Sequence, residues 1–388
     1  MSIKDQRIQF DIPQDIVYLN TSYMSPLLKD VSEAGRNAVD QKSRPYQVKP
    51  IDFFEPLTHL KSLFARLIDC NQPERIAMIP SVSYGIATVI KNITLQKGDE
   101  ILTLAEQFPS NIYGWQRLAK ESGATLISIA KPEVQNNIGK QWNENILDAI
   151  TESTAVIAIC HTHWADGTLY DLKAIREKAT SVNALLIIDG TQSVGALPFS
   201  VQEIQPDALI CAAYKWLLGP YASGLAYYGP FFDSGKPIEE NWSNRLNSEN
   251  FSGLTTYEER YKPFANRYNM GEQANFIAIP MLTKAIEQLL EWTPEAIQTY
   301  CREISIDALK KLEELVCTIE SEAYRGHHLF GIKLNPAISL EALKSEFEKR
   351  KIFVSIRGAY IRVSIHLFNT KEDLNALVDA VNYVFENK

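Results

Sequence analysis

Between residues 74 and 229 the chain repeats one pattern: a short apolar run rich in β-branched residues, followed by a longer amphipathic stretch. The runs are RIAMIP, EILTL, TLISIA, AVIAIC, ALLIIDG, DALICAA and GLAYYG. Such alternation predicts an α/β fold built on a large, mostly parallel, doubly wound sheet. Ligands of these sheets sit in the crevice outside the carboxyl ends of the strands, so the polar residues that end the runs are the first candidates for chemistry.

After a polar, aromatic stretch from Phe231 to Tyr268, a helical pattern runs from near Asn275 to about Val316, with Pro280 and Pro294 as expected kinks. This helix is expected to bridge two domains. The tail then reads as a strand HHLFGIKL, a helix SLEALKSEFEKRK, strands FVSIRG and YIRVSI, and a helix from Lys371. A large domain over 17–274 and a smaller α+β domain over 275–388, joined by residues 1–16, are therefore expected, and 388 residues suffice for both cores.

No apolar run approaches the roughly 20 residues a membrane helix needs, and Met1 to Ile16 is too polar for a secretory signal, so a cytoplasmic protein without membrane contact is expected. Lys and Arg total 39 against 47 for Asp and Glu, a formal charge of −8 that leaves no basic surface for nucleic acid. The five cysteines show no Cys-x-x-Cys spacing, which argues against a zinc ribbon or a disulfide scaffold.

Lys215 lies in ICAAYKWLLGPYASG, a setting apolar enough to desolvate its ammonium. Burial lowers a lysine pKa, and only the free amine attacks an aldehyde. Taken alone, Lys215 has an ordinary alternative: the stem packs on the core and the charge reaches water. Asp189 ends ALLIIDG at the mouth of the sheet, where Asp-Gly is also a common turn. Together they match what pyridoxal phosphate requires, a lysine for its aldehyde and an acid near its ring nitrogen.

The segment IIDGTQSVGALP, followed by CAAYKWLLGP, resembles the cofactor-binding core of class V aminotransferase-family enzymes, and the likeness can be followed from about Tyr18 to the C-terminus. The family includes cysteine desulfurases, kynureninases and isopenicillin N epimerase-like proteins. The resemblance implies the pyridoxal-phosphate-dependent transferase fold of type I, pyridoxal 5′-phosphate as cofactor, a homodimer, and a small-molecule amino acid as substrate. It also implies that Lys215 is the Schiff-base lysine, that Asp189 pairs with the pyridine nitrogen, that Gln192 bonds near the ring hydroxyl, and that Tyr214 contacts the phosphate. Val82 and Ser83, at the helix start after RIAMIP, correspond to the phosphate loop, where helix N–H groups suit an anion; ordinary serine capping is the alternative. Phe108 falls where the family places a ring over the cofactor.

His161 and His163 would share one face of the strand AVIAICHTH, but no third metal ligand is near in sequence and no metal is expected. In the family this strand end faces the cofactor, which implies that His163 touches the ring or the substrate. In AYIRVSIHLFNT, Arg362, Ser364 and His366 alternate with Ile361, Val363 and Ile365, setting Arg362 off from the core. The resemblance makes Arg362 the guanidinium that binds the substrate α-carboxylate.

Three departures narrow the reaction. Residues 356–360 lack the cysteine that desulfurases carry shortly before this arginine. His163-Trp164-Ala165 stands where kynureninases have Asn-Tyr-Arg, and Glu272 replaces a threonine that reaches the partner subunit's phosphate. Transamination at an amino-acid α-carbon leads; epimerisation or racemisation, β-elimination, and cofactor binding without turnover are the alternatives. A Rossmann dehydrogenase is not supported, since no G-x-G-x-x-G joins a strand to a helix.

Overall fold

All seven apolar runs form strands, and the strands form one seven-stranded sheet. A computed structural model describes residues 3–134, 137–315 and 317–387. The strands are Ile76–Ile79 (β1), Glu100–Leu104 (β2), Thr125–Ile129 (β3), Thr154–Cys160 (β4), Leu185–Asp189 (β5), Ala208–Ala212 (β6) and Gly224–Tyr228 (β7). Their order is β1-β7-β6-β5-β4-β2-β3, with β7 antiparallel to both neighbours and the remaining pairs parallel.

Why the runs are apolar throughout follows from their burial. Ile157, Ile159, Leu186 and Ile188 join one core, while Val156, Ala158, Ile187 and Ile210 join a second core on the opposite face. A sheet covered on both faces needs apolar residues at successive positions rather than alternate ones. β3 is one of the two edge strands, and there Thr125 and Ser128 are exposed. From β2 the chain moves outward to β3, returns to the other side of β2 as β4, and then continues away through β5 and β6. That reversal opens a crevice at the carboxyl ends of β2 and β4, the place where ligands of open α/β sheets bind.

The helical pattern expected from Asn275 is two helices, Ala278–Trp292 and Pro294–Glu314; its expected end, Val316, lies outside the described residues. The break is at Thr293, whose backbone (φ 66°, ψ 139°) leaves helical space and whose hydroxyl caps the amide of Ala296 at 3.3 Å. Pro294 thus opens the second helix, and Pro280 lies in the first turn of the first helix, where a missing N–H costs no bond.

The tail contains Leu329–Lys333 (β8), Ser355–Arg357 (β9) and Tyr360–Ser364 (β10), which with Thr318–Ile319 form an antiparallel sheet. Helices Leu340–Lys349 and Lys371–Glu386 complete it. The N-terminal segment is tied on by Arg7, which bonds Asp373 at 3.3 Å and the carbonyls of Pro13 and Ile16 at 2.9 and 2.8 Å. Val17–Tyr18 pairs in parallel with Ile352–Phe353.

In the β9–β10 hairpin, Ser355 faces Arg362 and Arg357 faces Tyr360, so these four residues share one face and Ile356, Ile361 and Val363 take the other. Arg362 is indeed set off from the apolar face, but its own face is covered too, and the residue is only 1% exposed. The cover is the segment after β4: Asp166 accepts a bond from the Gly331 amide at 2.7 Å, and Gly167 has φ +80°. A Cβ on Gly167 would lie 2.3 Å from the Leu329 carbonyl oxygen, so only glycine permits this approach. Gly167→Ala is therefore expected to cost about 3 kcal/mol, measured as a lower urea midpoint. An unchanged midpoint would contradict the close contact.

Candidate active site

The carboxyl ends of β2, β4 and β5, with the turn after β6, enclose a cavity of about 410 Å³, within the roughly 300–1,000 Å³ usual for small-molecule sites. A larger hollow of about 800 Å³ lies around His161, Tyr170 and Phe199, but Lys215 and Asp189 open into the smaller one. Val82, Ser83, Phe108, Asp189, Gln192, Tyr214 and Lys215, far apart in sequence, all line that smaller cavity.

Lys215 sits in the turn between β6 and β7 and is 7% exposed. Its Nζ lies 5.6 Å from the ring centroids of both Phe108 and Tyr214. Among the described residues no carboxylate is within ion-pair distance of it. Burial, reinforced by the charge of Arg362, pushes its amine down to about 8, against the opposing pull of Asp189. Asp189 ends β5 and accepts the Thr191 amide at 2.9 Å. Burial raises its carboxyl, while the Thr191 bonds and Lys215 pull the other way. A protonated ring nitrogen is a partner that would hold this carboxylate ionised.

The lysine turn is anchored by its neighbour. Trp216 is fully buried, donates its indole N–H to Gln192 Oε1 at 2.9 Å, and packs edge-on against His328 at 4.5 Å. Gln192 in turn donates to the Ser22 carbonyl at 3.2 Å, leaving one amide hydrogen and one lone pair for the cavity. At the far wall, Ser81 caps the helix Val82–Lys91 by accepting the Tyr84 amide, and its hydroxyl is 3.0 Å from that of Ser83. The first amides of that helix, Val82 and Ser83, have no intrahelical acceptor and suit an anion. The buried hydroxyl of Thr162, also on the cavity wall, has no partner among the described residues.

The structure does not bring His163 into the cavity. Beyond Cys160 the chain keeps its alternation, so Cys160, Thr162 and Trp164 line the site while His161 and His163 turn away. His163 instead meets Asp166 through Nδ1 at 3.2 Å and lies 5.2 Å from the Trp142 ring. Asp166 also pairs with Lys131; burial raises its carboxyl, but the contacts with His163 and Lys131 outweigh it and hold the carboxyl well below the usual range. Among the described residues no three His, Cys, Asp or Glu side chains form a metal-binding group. Arg362 stands behind Trp164, donating to its carbonyl at 2.8 Å and to Ser355 Oγ at 3.3 Å, with Nε buried and unpartnered. Burial, then Arg357, lowers the Arg362 guanidinium to about 9. Glu272 is exposed at φ 55° and lies outside this cavity. Sequence reading missed Thr162, Trp164 and Thr191; extending the strand alternation past Cys160 is the signal for the first two.

An amine and a carboxyl buried across a sheet-end crevice, with a helix N-terminus as an anion seat, define a pyridoxal-phosphate enzyme of fold type I. The aminotransferase class-V family model matches residues 44–377, and the chain belongs to that family, whose members work with pyridoxal phosphate. It is 27% identical over 323 residues to the uncharacterized aminotransferase YcbU of Bacillus subtilis, covering 82% of this chain and 81% of that one. It is 22% identical over 384 residues to the isopenicillin N epimerase of Streptomyces clavuligerus, covering 95% and 94%. Its fold is similar to that of the apo cysteine desulfurase from Thermococcus onnurineus, with a TM-score of 0.84 at 17% identity over all of both chains.

The groups lining the cavity fit the cofactor: a free amine, an acid, an aromatic face and a helix N-terminus. The rate at which apoprotein captures pyridoxal phosphate should rise with pH and reach half its plateau near 8, because only the unprotonated Lys215 amine reacts. A midpoint above about 10, the ordinary lysine range, would contradict the desolvated amine.

Proposed function

We propose that the protein is an aminotransferase acting at the α-carbon of a small-molecule amino acid, and that it works as a cytoplasmic homodimer. The observation that carries this is Lys215, a buried amine with no carboxylate at ion-pair distance among the described residues, on which the charges of Arg362 and Asp189 act in opposite directions. Pyridoxal phosphate bound there supplies an aldehyde for the substrate amine and a ring that accepts the electrons of the breaking α-carbon bond. Val82, Ser83 and Tyr214 would hold the phosphate end, Phe108 would offer its flat face, Gln192 would bond near the ring hydroxyl, and Asp189 would keep the ring nitrogen protonated. Lys215, as a free amine, would carry the proton at the α-carbon. Arg362 fixes the α-carboxylate and so decides which α-carbon bond is aligned to break.

Two features favour transamination over the alternatives. Cys160, which lines the cavity, is buried with its thiol pushed well above its ordinary value, so it is a poor persulfide nucleophile. Epimerisation by two bases needs a second proton carrier, and with His163 turned away, the residues beyond Cys160 on that wall are Thr162 and Trp164, neither of which titrates usefully. The likeness to an epimerase along most of the chain keeps epimerisation as the second reading.

A panel of amino acids mixed with the holoenzyme separates the outcomes. Transamination requires conversion to the pyridoxamine form with release of an oxo acid. Solvent deuterium at the α-carbon without oxo acid would replace it by epimerisation, and loss of a β-substituent would replace it by elimination. Arg362→Ala should raise KM by roughly 100-fold, the equivalent of about 3 kcal/mol for a lost buried charge partner; unchanged KM would remove Arg362 from the site.

A further inference from the structure

The hairpin that delivers Arg362 also delivers a second guanidinium. The β9–β10 register puts Arg357 and Arg362 on the same face, and both approach one indole: Cζ of Arg357 lies 5.6 Å and that of Arg362 6.0 Å from the Trp164 ring centroid. Trp164 in turn meets Phe108 edge-on at 5.5 Å, and both rings line the cavity that holds Lys215. Neither arginine is among the described residues that line the cavity, and both approach it through this single aromatic wall.

Among the described residues neither has an anionic partner. Among the described residues Arg357 donates to the carbonyl of Ile356 at 2.8 Å and has no carboxylate partner. Arg362 bonds a carbonyl and a hydroxyl and keeps Nε unpartnered. The nearby carboxylates are engaged elsewhere, since Asp166 meets Lys131 and His163, and Asp189 accepts the Thr191 amide. Two like charges on adjacent strands repel, and the charge of Arg357 acts on Arg362 and Lys215 alike. A phosphate held by the first amides of the helix Val82–Lys91 would not account for them. One α-carboxylate would occupy Arg362 and leave the other guanidinium unmatched.

We propose that Arg357 and Arg362 form a paired site for two carboxylates, with Arg362 taking the α-carboxylate and Arg357 the side-chain acid, so that the substrate is an amino acid with an acidic side chain. Trp164 is the wall along which the methylene chain lies between the two acids. The inference rests on the amino-acid reading of the same cavity, deepening it to a substrate class. Planar, always-charged guanidinium suits this task, because it binds a carboxylate through two parallel hydrogen bonds.

The test is binding rather than turnover. Holoenzyme is titrated with succinate and glutarate, which carry two carboxylates and no amino group, and with butyrate and pentanoate, which carry one. Calorimetry and tryptophan fluorescence report the affinities. The better diacid should bind at least about 30-fold more tightly than the better monoacid, the size expected for one added charged pair. Arg357→Gln should bring that ratio to within about threefold, and Arg357→Lys should keep part of it. Equal affinities in the wild type, or a ratio that survives Arg357→Gln, would overturn the proposal. In parallel, glutamate and norvaline are tested for conversion to their oxo acids. A diacid preference without oxo-acid formation from either would sink the aminotransferase reading and leave the paired site standing. Conversion of norvaline with equal diacid and monoacid affinity would do the reverse.

Discussion

The structure turns on one desolvated amine. Lys215 is held in an apolar turn between β6 and β7 with no carboxylate fixed against it, so its charge is opposed by burial and by Arg362 and supported only by Asp189. A buried cation in that state is costly unless it reacts or is neutralised. The surroundings keep it there: Trp216, the next residue, is locked by Gln192 and His328, and Gln192 is itself tied to Ser22. Because both faces of the sheet are packed with apolar side chains, polar groups are free to converge only at the strand ends. Lys215, Asp189 and the start of the helix Val82–Lys91 meet in that rim.

The second constraint is the contact between the segment after β4 and the C-terminal sheet. Gly167 presses on Leu329, Asp166 receives Gly331, and the Trp164 carbonyl receives Arg362. A short stretch of chain therefore shapes the cavity wall through Thr162 and Trp164 and also seats the arginine hairpin. The contacts of Asp166 with His163 and Lys131 brace the stretch from behind. The cavity wall and the contact with the C-terminal sheet are borne by the same stretch, so changes that loosen the contact should be felt at Arg362.

Much of this was legible in the amino-acid order. Doubly covered strands demand uninterrupted apolar runs, and those runs stood out; the residues ending them, Asp189 and the lysine turn, were visible for the same reason. Three things were less visible. Thr293 divides one helical pattern into two because its hydroxyl caps the next helix, a choice that propensity alone does not announce. The family resemblance implies that His163 reaches the cofactor because this strand end faces it, yet which of two alternating faces looks inward depends on the packing of the whole sheet. Arg362 read as a residue on an open strand face, whereas the covering layer comes from residues some 200 positions earlier in the chain, a relation that no local pattern contains.

The central claim is that this amine carries the cofactor, and reduction tests it most directly. Protein loaded with pyridoxal phosphate, treated with borohydride, digested and read by mass spectrometry should carry the reduced phosphopyridoxyl group on the peptide that contains Lys215. Label on another lysine, or a colourless protein with no label at all, would contradict the account.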